Sequence, residues 1–260
     1  MGVAAIRRRD APPDVVAAER PAFAGLLPIA ISVAVAWATL VVLDATGAAA
    51  TLHHHTLIEG GPPLWLAIPP FLLAWEVMVV AMMVPGSLPA IRLTVPTRSG
   101  SPSAELAFIA AFLAVWAAFG LSAFLGDMVV HRLVDSTPWL AARPWLIEAG
   151  VLAFAAIYQF VPRKRHDLER CRHPGGHMGS ATLRGAARFG LGHGLACVGA
   201  SGALMLLMFG EGFGGLIWMV ALTGVMILET TFRSPQQFTR LVGIGLILLS
   251  VATLAGPTAF

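Results

Sequence analysis

Seven stretches of about twenty apolar residues dominate this chain, near residues 22–43, 64–86, 104–126, 143–161, 189–209, 214–232 and 238–255. An α-helix rises about 1.5 Å per residue, so roughly 20 residues cross the ~30 Å hydrocarbon core of a bilayer. Backbone N–H and C=O groups find no water there, and a helix satisfies them internally. The pattern predicts an all-α fold, a polytopic membrane helix bundle of about seven transmembrane helices. Charge agrees with this: only 12% of the 260 residues are Asp, Glu, Lys or Arg, against roughly 25% in soluble domains.

Basic loops stay cytoplasmic, which sets the orientation. With the N-terminus cytoplasmic, every Lys and Arg except Arg132 and Arg143 falls on the cytoplasmic side. The net charge of +3 is thereby explained by topology, and the run Arg163-Lys164-Arg165 is read as a membrane anchor, with the lipid bilayer and not a nucleic acid as its partner. Residues 1–21 form a cytoplasmic N-terminal segment, 22–255 one transmembrane domain with a cytoplasmic loop at 162–188, and 256–260 a short tail. Glycines at 190, 192, 194, 199 and 202, with more from 210 to 215, predict that the fifth and sixth spans pack as a close hairpin, because small residues let helix backbones approach in lipid.

Within the second span, residues 74–85 read Ala-Trp-Glu-Val-Met-Val-Val-Ala-Met-Met-Val-Pro. A carboxylate at the centre of a spanning helix costs about 3 kcal/mol on insertion scales, so Glu76 is expected to face protein or water and to mark a site. At 100° per residue Glu76 and Met83 lie within about 20° of one another, whereas Met78 and Met82 share a different face. A metal here needs donors from another helix. The fifth span offers His193 and Cys197, one turn apart, and soft or borderline ligands of this kind suit copper or zinc. The competing reading is plain packing, since methionine fills irregular gaps and a buried cysteine is often only a small apolar residue.

Three weaker signals complete the survey. His53, His54 and His55 fall in the first external loop, where imidazoles are able to capture a metal ion from outside. Cys171, His173 and His177 lack the spacing of a structural zinc site. Glu229, near the end of the sixth span, either reaches the interface beside Arg233 or has a buried polar role.

In order, Trp75-x-x-Met78-x-x-Ala81-Met82-Met83-x-Pro85, Tyr158-Gln159-x-x-Pro162-x-Lys164, Cys171-Arg172-x-Pro174, Leu204-Met205, Trp218-Met219 and Glu229 resemble the predicted metal-binding integral membrane proteins, a bacterial family of unknown function. The resemblance covers about residues 65–250. It implies a multi-pass protein of a cell membrane, the inner membrane in bacteria, and a transition metal, copper being preferred to zinc. It also marks departures. The family's Cys-Leu-x-x-Cys reads Asp167-Leu168-Glu169-Arg170-Cys171 here, and its Cys-x-x-Cys-Cys-Trp reads Cys197-Val198-Gly199-Ala200-Ser201-Gly202.

Glu76, Met78, Met82, Met83, His193 and Cys197 are thus the expected intramembrane metal ligands, and His53, His54 and His55 the external ones. The expected function is binding or passage of a transition metal, with other membrane subunits or a metal-delivering protein as partners. Two alternatives stay open: a subunit of a copper-dependent oxygenase acting on an apolar substrate, and a scaffold without metal. Whether the chain is an enzyme is not decided by the sequence.

Overall fold

The computed structural model describes residues 27–51, 54–59, 63–94, 102–174, 182–211, 215–232 and 234–255. Among these residues there are eleven helices and no strand: α1 (Leu27–Ala45), α2 (Ala48–Thr51), α3 (His54–Glu59), α4 (Leu64–Thr94), α5 (Pro102–Asp135), α6 (Pro138–Ala141), α7 (Trp145–Tyr158), α8 (Pro162–Arg172), α9 (Leu183–Glu211), α10 (Leu216–Thr231) and α11 (Pro235–Leu254). The all-α expectation holds. The expected count of seven spans does not. Five helices, α1, α4, α5, α9 and α11, are long and apolar enough to cross a membrane, and a sixth span results if α7 and α8 are taken together across their 68° bend. The fourth and sixth predicted spans are helices of 14 and 16 residues, shorter than the roughly 20 residues a full crossing takes.

α4 runs unbroken through Pro69, Pro70, Pro85 and Pro89. Proline has no N–H, so each one leaves the carbonyl four residues earlier without its helical donor. For Pro85 that carbonyl is Ala81 O, and the Trp37 indole supplies the missing donor at 3.1 Å. One side chain therefore repairs α4 and fastens α1 to it. A similar device joins α4 to α5. Trp75 Nε1 donates to Trp116 O at 2.9 Å, and a Cβ at Gly120 would collide with the Trp75 ring.

The glycines of α9 serve a partner other than the expected one. Gly190, Gly194 and Gly202 lie against Phe108, Val115 and Phe119, all on α5, so the close-packed pair is α5 with α9 and not α9 with α10. In lipid, backbone approach of this kind drives association where apolar burial cannot. α11 closes on α7 through Ser250 Oγ, which donates to Ala149 O at 2.9 Å.

The expected loop at 162–188 contains an ordered polar helix. α8 starts at Pro162, where a missing N–H has no cost. It lays Lys164, Asp167, Leu168 and Cys171 inward while Arg163, His166, Glu169 and Arg170 stay exposed. Residues at i, i+3, i+4 and i+7 share one helical face, which accounts for that buried stripe.

Candidate metal site at a four-helix junction

Where α4, α8, α9 and α10 meet, the bundle holds a cavity of about 30 Å³. A single water needs about 10–15 Å³ by this measure, so the space fits one ion with little solvent. α4 contributes Met82, Met83, Gly86 and Ser87 to its wall, and α9 contributes His193, Cys197, Ala200 and Ser201. Leu168 and Cys171 come from α8, and Met226, Ile227, Glu229 and Thr230 from α10. Four of the expected ligands, Met82, Met83, His193 and Cys197, converge here. Although Met82 and Met83 point about 100° apart around α4, both reach the cavity wall.

Polar contacts fix the donors in place. His193 Nε2 shares a hydrogen bond of 3.2 Å with Ser87 Oγ, and the imidazole is packed among the rings of Phe108, Phe112 and Phe189. Ser201 Oγ donates to Cys197 O at 2.8 Å and lies 3.7 Å from Met83 Sδ and 4.0 Å from Cys197 Sγ. Across the α8–α9 interface Cys197 packs against the cluster of Leu168, Cys171, Ala196 and Ala200. Cys171 and Cys197 are free cysteines, and the chain has no others.

Tight packing of α8 on α9 builds that cluster. A Cβ at Gly199 would lie 2.7 Å from Asp167 Cγ and 3.0 Å from Asp167 Cβ, so only glycine admits the Asp167 side chain. Arg163 Nε holds the Asp167 carboxylate at 2.8 Å, and the Tyr158 hydroxyl donates to Gly199 O at 2.8 Å. At the far wall Lys164 Nζ donates to Glu229 Oε2 at 3.0 Å. Arg172 Nη1 donates to Glu229 O and Phe232 O, satisfying carbonyls that the end of α10 leaves open.

Glu229 is therefore buried and ion-paired, which decides between the two roles considered for it. Cys171 belongs with Cys197; His173 is exposed, and His177 lies outside the described residues. His53 also lies outside them, as do the side chains of His54 and His55 in α3. Glu76 and Met78 do not line the cavity. Met78 is fully buried, and both Glu76 carboxylate oxygens are buried without a hydrogen-bond partner among the described residues.

Sequence reasoning weighed Cys171 only with His173 and His177, and read Lys164 as part of a membrane anchor, whereas Lys164 is fully buried and paired with Glu229. It gave Ser87 and Ser201 no place in a site. The signal for Cys171 and Lys164 was present: Lys164, Asp167, Leu168 and Cys171 have helical spacing inside a stretch read as a loop. Ser87 and Ser201 carry no signal of their own, since a serine in a span usually bonds its own helix backbone.

The donor set is soft. Among the described residues no three His, Cys, Asp or Glu side chains are grouped so as to hold a metal ion. Thioethers change the inventory, because methionine and cysteine sulfur are soft donors of the kind that suit Cu(I). Residues 72–253 match the family described as PpoB2, copper chaperone. No curated protein and no solved structure matches the chain.

Proposed function

This chain belongs to the PpoB2 copper chaperone family, and we propose that it is a multi-pass membrane protein that holds a copper ion, as Cu(I), in the cavity between α4, α8, α9 and α10. One observation carries the reading: the thioethers of Met82, Met83 and Met226, the thiols of Cys171 and Cys197 and the His193 imidazole all line one small cavity. The copper is cargo, and the walls suit cargo. Neutral thioether and imidazole donors bind Cu(I) without the permanence of a four-thiolate cage, which lets the ion be passed on.

Position supports a hand-over role. The cavity lies toward the end of the bundle that carries Arg92, the α8 arginines, Arg184 and Arg188, the cytoplasmic end by the distribution of basic residues. A metal-delivering or metal-receiving protein meets the chain there. Ala200 and Ser201, where the resembled metal-binding family has cysteines, are both in the cavity wall, so this chain keeps a thiol-poor form of the site. An oxygenase centre calls for several histidines, and His193 is the one imidazole in the described wall.

The reading is tested by loading the purified protein, in detergent and under reductant, with Cu(I) and counting copper per chain. One equivalent is expected for wild type, with weaker retention against a Cu(I) chelator in Met83→Leu and Cys197→Ser. Failure of wild type to hold stoichiometric copper removes the proposal.

A further inference from the structure

Beneath the cavity the same three long walls continue in sulfur. Of the ten methionines in the chain, seven are buried in α4, α9 and α10. Each wall repeats its cavity donor at greater depth. On α4, Glu76 lies two turns, about 10 Å, below Met83 on the same face, whereas Met78 lies one turn below Met82 on the other face. On α9 the stripe of His193, Cys197 and Ser201 continues into Met205 and Met208. On α10, Met219 stands two turns from Met226, again on the same face.

Ring contacts set the register. Ser87 meets His193 and Met83 meets Ser201, whereas Trp75 meets Phe209 with ring centroids 5.7 Å apart. α4 and α9 therefore run antiparallel, and the level of Glu76, one residue from Trp75, is the level of Met208, one residue from Phe209. α10 returns antiparallel to α9, which brings Met219 to that depth. Glu76 stands near the middle of the span Leu64–Leu93, with both oxygens buried and no partner among the described residues. A carboxylate left this way at mid-span lacks a cation.

We propose that this column is a translocation path, and that the protein moves Cu(I) across the membrane between the cavity and a second station at Glu76. The inference rests on the cavity reading and adds transport to it. Thioethers spaced a turn or two apart present successive weak sites, and conduction needs sites that bind well enough to admit an ion and weakly enough to release it. The Glu76 charge lowers the cost of a cation at the depth where that cost is greatest. Packing alone explains buried methionines but gives no reason for a carboxylate at mid-span whose oxygens are buried without a hydrogen-bond partner among the described residues.

The test uses the full chain in proteoliposomes of neutral lipid, with Cu(I) kept reduced outside and a Cu(I)-selective dye trapped inside. Wild type is expected to admit copper well above protein-free vesicles. Glu76→Gln and Met219→Leu are expected to keep the cavity stoichiometry in detergent while flux falls by about tenfold or more, a barrier change on the order of 1.4 kcal/mol. Leucine preserves the methionine volume, so Met219→Leu separates loss of sulfur from loss of packing. A copper-loaded wild type without flux, or wild-type flux in both variants, overturns the path and leaves the cavity standing. Wild type without stoichiometric copper overturns the cavity itself.

Discussion

Lys164 Nζ and Glu229 Oε2 lie 3.0 Å apart with side chains 0% and 2% exposed, and this pair ties α8 to α10 across the wall of the cavity. A buried pair of this kind is a commitment. Desolvating both ions costs much of what their attraction returns, but removing one partner leaves the other charged with no compensation.

Lys164→Met is therefore expected to destabilise the protein by about 3–5 kcal/mol. Lys164→Met combined with Glu229→Met should recover most of that loss, because two apolar side chains replace the pair and no buried ion is left alone. Thermal unfolding in detergent gives the comparison, and a double variant as unstable as the single one would contradict this account of the pair.

Gly199 and Gly192 make a matched contrast on one helix. An added methyl at Gly199 meets the Asp167 side chain, whereas one at Gly192 meets nothing within 4 Å. Gly199→Ala should push α8 outward, cost roughly 1–3 kcal/mol as overpacking does, and weaken copper retention by moving Cys171. Gly192→Ala should be tolerated or gain about 0.5–1 kcal/mol, the usual advantage of alanine over glycine inside a helix. Melting temperature and chelator competition on both variants decide it.

Met83 and Met78 separate the cavity from the column. Both are nearly isosteric with leucine, so either substitution should cost less than about 1.5 kcal/mol in stability. Met83→Leu removes a cavity donor and should lower Cu(I) affinity. Met78→Leu, one turn deeper, should leave affinity in the cavity unchanged. Equal losses from the two would mean that the cavity boundary is drawn in the wrong place.

Ion competition reads the chemistry of the wall directly. Ag(I), soft and monovalent, should displace Cu(I) from the protein, and Zn(II) should not, because Cys171, Cys197 and His193 are not grouped to hold one zinc ion. Isothermal titration of the reduced protein with each ion measures this; stoichiometric Zn(II) binding would argue for a nitrogen and oxygen site instead.

Much of this was legible in the residues. Apolar runs gave the long helices, and the 100° step gave the shared face of Glu76 and Met83 and the need for a second helix, which α9 supplies through His193 and Cys197. Span lengths were less legible, because hydropathy does not register the bend between α7 and α8 or the early end of α10. The role of α8 was hidden by its charges: a helix with Arg163, Arg165, Arg170 and Arg172 reads as a loop until its opposite face is seen to be buried. Helix pairing was also hidden. Glycines announce a close approach, yet only packing shows that Phe108, Val115 and Phe119 of α5 are what approaches.

Synthesis order gives the buried lysine a further consequence. Lys164 emerges 65 residues ahead of Glu229, and an ammonium cannot settle alone into a dry interior. α8 must stay at the water boundary until α10 has been made and packed, and then folds in as the last wall. A chain halted before residue 229 has four of its long helices, but the cavity lacks the α10 wall.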